Sequence, residues 1–173
     1  SDFARIGRGS MGGKARGLAF ANLIIKNFKL AHFFDDITIS VPPSLVLATD
    51  VFDRFLELND LKDFAIRCND DEELRSVFLD ADFPAEVVNS LKSFLNLIID
   101  PLAVRSSSLL EDSRYLPFAG IYSTYMLPNN NIDDEIRLKN LLDAIKLVYA
   151  STYGELAKGY IRATPYRLEE EKM

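Results

Sequence analysis

Pro101-Leu-Ala-Val-Arg105-Ser-Ser-Ser-Leu-Leu-Glu111-Asp112 is the stretch that decides how this chain is read. Its apolar run is short enough for a strand, and it delivers one arginine into a serine-rich turn followed by two carboxylates. A sheet edge built this way presents a fork-shaped cation and hydroxyls to phosphate oxygens. Alternation along the strand puts Leu102 and Val104 on one face and Ala103 and Arg105 on the other. Phe118-Ala-Gly120 follows, and Gly120 to Leu127 reads as the hairpin partner, with Thr124 an ordinary β-former within it.

Working outward, the second informative region is the N-terminus. Residues 1–32 carry Arg5, Arg8, Lys14, Arg16, Lys26 and Lys29 against Asp2 alone, a net charge of +5 in a chain of -6, which leaves -11 on the remainder. Five of the eight glycines, Gly7, Gly9, Gly12, Gly13 and Gly17, fall in the same segment. Positive charge and permissive backbone therefore coincide, and Gly12-Gly13-Lys14 is placed to open a helix running to about Leu30. Backbone N–H groups at a helix start point outward, the helix dipole favours an anion, and a lysine adds a point charge. The spacing is not that of a Walker A loop. Taken singly, Gly-Gly-Lys is more often a flexible turn with a solvated lysine, and Arg105 is as readily a strand-end arginine paired with Glu111 or Asp112.

Composition excludes several classes. With 173 residues, 48% hydrophobic and 27% charged, the chain has an ordinary globular makeup, and no apolar run approaches the length of a membrane span. The N-terminus lacks the order of a secretion signal, so the expected compartment is the cytoplasm. The net negative charge argues against a nucleic-acid surface. One cysteine, Cys68, and one histidine, His32, cannot build a disulfide or a thiolate–imidazole zinc site, and both read as structural residues.

The remaining pattern supports an α/β arrangement, which the resemblance described next narrows to α+β. Strands are expected at Phe3–Gly7, Ile37–Val41 and Leu45–Thr49, and helices at Val51–Leu58, capped by Thr49 or Asp50, at Asp71–Leu79, and at Pro84–Ile99. A single long helix is expected from Ile132 to about Arg162 after the Asn129-Asn-Asn131 turn, and Arg167 to Met173 reads as a solvated charged end.

Four ordered blocks carry a resemblance over nearly the whole chain: Met11-Gly-Gly-Lys14-Ala-Arg-Gly-Leu; Ser40-Val-Pro-Pro-Ser-Leu-Val-Leu-Ala-Thr49; Leu102-Ala-Val-Arg105-Ser-Ser-Ser-Leu-Leu-Glu-Asp112; and Pro117-Phe-Ala-Gly120 with Tyr125-Met-Leu. Ala144 to Tyr153 continues it. Together they resemble the N-terminal ATP-binding (PEP/pyruvate-binding) region of the phosphoenolpyruvate synthase and pyruvate phosphate dikinase family. The resemblance implies an ATP-grasp-like N-terminal lobe, a mixed sheet flanked by helices, with residues 1–173 forming part of a larger multidomain protein. It implies that Lys14 and Arg105 contact nucleotide phosphates, that Gly12, Gly13 and Ser106 line the same site, and that Gly120 and Thr124 approach the nucleotide. Glu111 and Asp112 match an acidic pair, read as shaping the loop or holding Arg105 ahead of contacting a metal.

The family splits ATP, parks a phosphoryl group on a histidine of a separate domain and passes it to pyruvate or a related acceptor. That histidine domain and the magnesium ligands are not found among these residues, so no catalytic or metal-binding residue is expected in the chain itself. Ile121 stands where the family commonly has glutamine, Leu109-Leu110 replaces smaller residues, and Ala15-Arg16-Gly17 follows Lys14 where many members have Gly-Ala-Asn. A noncatalytic ATP-grasp-like module of a regulatory protein is the alternative reading.

Overall fold

The computed structural model describes residues 3–108, 120–165 and 167–173 of the chain. The fold is α+β: seven helices and two small sheets are present among the described residues.

The chain opens with a crossover unit. Strand β1 (Phe3–Ile6) leads through the glycine-rich loop into helix α1 (Gly13–Asn27), and strand β2 (Ser44–Leu47) returns parallel to β1, in the register Phe3 with Ser44 and Ile6 with Leu47. A parallel pair requires such a crossover, and its geometry puts the glycine loop beside the residues that follow β2. Between α1 and β2 lies a 3-10 turn, Leu30–His32, that carries the exposed His32. The strand expected at Ile37–Val41 does not form. Its alternation is present, but among the described residues no strand lies alongside: Ile37 makes one isolated bridge to Phe34 and is 57% exposed.

A helical core follows. Helix α2 (Thr49–Leu58) buries Val51, Phe52, Phe55 and Leu56, a spacing that places all four on one face. Helix α3 (Lys62–Arg67) is a short element that the sequence pattern did not reveal. Helix α4 (Asp71–Asp80) is capped by Asp70, whose carboxylate accepts the Glu72 and Glu73 N–H groups. Helix α5 (Ala85–Leu95) begins after Pro84 and buries Val87, Leu91 and Leu95. Phe52, Phe55, Phe78, Phe83, Tyr149 and Tyr153 stack and edge against one another with centroid separations of 4.6–6.3 Å, which makes this cluster the centre of the core.

The second sheet is an antiparallel ribbon of strand β3 (Leu102–Arg105) and strand β4 (Thr124–Leu127), separate from the parallel pair. Helix α6 (Asp134–Ser151) packs against it, and helix α7 (Glu155–Arg162) follows. The expected single helix is thus two. It breaks at residues 152–154 because Asp71 of α4 accepts the Glu155 N–H at 2.8 Å and so starts a new helix at Gly154. The buried Lys158 of α7 donates to the Ala65 and Cys68 carbonyls, closing the end of α3. Cys68 is half-buried and donates to the Asp70 carbonyl at 3.3 Å.

Two further features position β3. Arg137, 8% exposed, donates to the Leu95 and Ile98 carbonyls at 2.7 Å and to Asn129 Oδ1 at 3.0 Å. Asn129, at φ 52°, itself donates to the Ile98 and Asp100 carbonyls, so the lead-in to β3 is held from both sides. The charged tail is only partly solvated: Arg167, Glu169 and Glu170 are exposed, but Glu171 and Met173 are buried, Met173 Sδ meets the Thr152 hydroxyl, and Lys172 pairs with Asp53. The apolar Leu168 and Met173 within that charge run explain the docking. Among the described residues no helix is long and apolar enough to cross a membrane.

Leu102, Val104, Tyr125 and Leu127 form the half-buried face of the ribbon and pack on the core, while Ala103, Arg105, Thr124 and Met126 face outward. Val104→Asp should therefore lower stability by about 2–4 kcal/mol by pressing a carboxylate onto the core. Urea unfolding of the variant checks this.

Candidate functional site

Because β1 and β2 are parallel, their C-terminal ends face the same way, and that edge is where open α/β units bind ligands. The glycine loop leaves β1 there, and Thr49 and Asp50 leave β2 there. The Asp50 carboxylate accepts the Arg8 N–H through both oxygens at 3.0 Å and the Gly9 N–H at 2.8 Å. Thr49 Oγ1 accepts the Ser10 N–H at 3.0 Å, and the Thr49 N–H donates to the Ser10 carbonyl at 3.0 Å. The two residues read as helix caps thus serve the loop instead: the cap position of α2 is Ala48, which supplies no side-chain bond.

Partial burial raises the Asp50 carboxyl, but the amides of Arg8 and Gly9 and the nearby Arg54 guanidinium outweigh it and hold Asp50 below its ordinary value of 3.8. Gly7, at φ +90°, allows the close approach, since a Cβ there would lie 2.4 Å from Asp50 Oδ1.

Helix α1 opens at Gly12 with no side-chain cap and no acidic residue in its first turn, so its own first turn adds no negative charge at the positive helix end. The serine segment after β3 meets this end. Ala15 N–H donates to Ser107 Oγ at 3.3 Å across 92 positions of sequence, and a Cβ on Gly12 would lie 2.0 Å from the Ser107 carbonyl oxygen. Chain geometry then puts the Lys14 and Arg105 Cα atoms within about 15 Å of each other. Both residues are exposed, and no described carboxylate pairs with Arg105.

Arg105 and Thr124 are direct cross-strand partners at the end of the ribbon, on its outward face. Ser106 lies buried at 3% exposure, whereas its neighbour Ser107 carries the contact to α1. Gly120 is exposed at φ +80°, a conformation that favours glycine, and borders a groove of about 250 Å³ lined in part by Asp71, Arg75, Ile121 and Ser123. Glu111 and Asp112 lie outside the described residues. A groove of about 410 Å³ between α4 and α6 contains none of the sequence-derived site residues.

The structure thus brings the start of α1, at Gly12 to Ala15, together with the serine segment that follows Arg105, whose cross-strand partner is Thr124. Asp50, Thr49 and Ser107 are the contributors that sequence reasoning did not assign to the site. A Thr-Asp pair directly after the second strand of a crossover unit was the available signal for the first two.

Residues 9–173 match the family of the pyruvate phosphate dikinase AMP/ATP-binding domain. The chain belongs to that family. Among curated proteins it is similar to rifampicin phosphotransferase of Bacillus cereus, 32% identical over 100 residues, which cover 57% of this chain. The match spans 10% of that protein's length. No solved structure matches the chain. The family is one of AMP/ATP-binding domains, and an ATP-binding role follows for this member.

Two outcomes test the site's construction. Gly12→Ala should cost about 1–3 kcal/mol, because the new methyl meets backbone at Ser107, while Gly17→Ala, with open space around it, should gain about 0.5–1 kcal/mol. Thermal unfolding of both variants reads the contrast. A carboxyl held low in the fold stabilises fully above its unfolded value and loses that contribution as pH falls through the lower, folded value. The Arg8 and Gly9 amide resonances should accordingly titrate with a midpoint below 3.8.

Proposed function

We propose that this chain is the N-terminal nucleotide-binding part of a multidomain, ATP-dependent phosphotransferase of the phosphoenolpyruvate synthase and pyruvate phosphate dikinase type. In this reading the intact protein takes a phosphoryl group from ATP, passes it through a histidine outside these residues, and delivers it to pyruvate or to another small acceptor. The relative named for rifampicin makes an antibiotic one such acceptor.

The observation that carries the reading is the contact between the N-terminus of α1 and the serine segment after Arg105. Two cations from distant parts of the chain approach one edge, where a helix end and a glycine loop already favour an anion. Lys14 supplies a point charge and Arg105 a planar fork, a division of labour that suits the several oxygens of a polyphosphate. Gly12 makes room for the Ser107 backbone, Gly13 lets phosphate oxygens approach the helix start, Thr124 offers a hydroxyl beside Arg105, and Gly120 lies along the path of the nucleotide. Ser106 supports the turn beneath them.

These residues bind and orient ATP. Among the described residues no three His, Cys, Asp or Glu side chains converge as a metal site would require. On the family resemblance alone, the magnesium ligands belong outside these residues, where the ion would neutralise charge on the transferred phosphoryl.

The test is calorimetric titration with magnesium-ATP on the intact protein and on two variants. Lys14→Ala and Arg105→Ala should each remove a charge-assisted contact worth about 1.5–3 kcal/mol and weaken binding tenfold to a hundredfold or more, with the fold retained. Equal affinity in all three would refute the phosphate-binding roles and favour a noncatalytic module.

A further inference from the structure

We infer that Asp50, assisted by Thr49, is the positioning residue of the phosphate site, and the inference rests on the nucleotide-binding reading above. Helix α1 is weakly anchored to the body of the protein. Ala15 is its one buried residue, while Leu18 is 38%, Phe20 64%, Leu23 53% and, just past its end, Phe28 68% exposed. A helix held by so little of its apolar surface depends on polar tethers, and two of them act at its N-terminal end: Ser107, and the set of hydrogen bonds by which Thr49 and Asp50 fix residues 8–10.

The platform for that second tether is rigid. Thr49 and Asp50 form the first turn of α2, whose next residues, Val51 and Phe52, are 0% and 1% exposed. The loop lies against them closely enough that a Cβ on Gly7 or Gly9 would sit 2.4 Å from Asp50 Oδ1 or 2.5 Å from Thr49 Oγ1. Side chains that ordinarily cap their own helix have been turned to the loop.

Asp50 also sets where an external anion binds. Successive amides at Arg8 and Gly9 form a concavity of the kind that takes up phosphate, and an internal carboxylate fills it. A ligand phosphate is thereby directed to the next donors along the chain, at Gly12 to Lys14. Loss of the Asp50 carboxylate both loosens the loop and opens a competing place for the anion, so its effect falls on nucleotide binding rather than on the core.

The experiment compares Asp50→Ala, Asp50→Asn and Thr49→Val with Lys14→Ala in the intact protein. Magnesium-ATP affinity is read by calorimetry, Tm by thermal unfolding, and the amide resonances of Gly12 to Ala15 by NMR. Asp50→Ala should weaken binding about tenfold or more and shift those resonances with little change in Tm. Asp50→Asn, which keeps one acceptor oxygen, should fall between it and the unmodified protein, and Thr49→Val should weaken binding less than Asp50→Ala. A graded series at constant Tm supports positioning, because a purely structural role would move Tm in step with binding. Wild-type affinity in a folded Asp50→Ala protein, with Lys14→Ala weakened, overturns the inference and leaves the phosphate site standing. Wild-type affinity in Lys14→Ala as well overturns the nucleotide reading itself. Should Asp50→Ala fail to fold, Asp50→Asn decides: weakened binding at unchanged Tm supports the inference, and unchanged binding or loss of fold contradicts it.

Discussion

Parallel pairing of β1 with β2 is the constraint on which the rest of the site depends. It sends both strands toward one edge, so the chain leaving β1 and the chain leaving β2 must share that edge. The first is a glycine-rich loop with backbone donors to satisfy, and the second begins with Thr49 and Asp50, which satisfy them. Buried or crowded amides need partners, and here the partner is a carboxylate fixed to a helix whose next residues, Val51 and Phe52, are buried in the core. The loop has a defined path for that reason, and α1 starts where the loop ends. Ser107 then closes the arrangement from the far side, joining the crossover unit to the ribbon.

The core has a different logic. Six aromatic rings from α2, α4, α6, α7's lead-in and the segment before α5 fill the centre, and single polar side chains reach across to close helix ends: Asp71 at the start of α7, Lys158 at the end of α3, Arg137 at the end of α5. Arg137 matters most for the placement of β3. By capping α5 and gripping Asn129 it fixes how the chain enters β3, and hence where Arg105 emerges. The ribbon has one packed face and one outward face, and the residues read as nucleotide contacts, Arg105 and Thr124, lie outward.

Much of this was legible because it is local. The alternation at Leu102–Arg105 places Val104 against the core and Arg105 outward, and the apolar spacing in α2, α4 and α5 marks the buried faces. The order of the four blocks was enough for the family. What was not legible depends on partners far along the chain. Ile37–Val41 has a strand's alternation but no neighbour, and the long helix breaks because Asp71 lies 84 positions from Glu155. The charged tail docks through two apolar residues hidden in a charge run. Thr49 and Asp50 had the right types for a helix cap, and only a loop about 40 positions earlier reveals their other use. Ser106 and Ser107 are indistinguishable by type, and strand geometry alone decides which reaches α1.

The central claim is that the start of α1 and the end of the β3–β4 ribbon serve one polyphosphate. Titration of the intact, isotope-labelled protein with a non-hydrolysable ATP analogue, followed by amide resonances, addresses it most directly. Gly12, Gly13 and Lys14 should move together with Arg105 and Thr124, and all should report one dissociation constant. Movement confined to one of these segments, or to the groove beside Gly120 alone, would contradict a shared site.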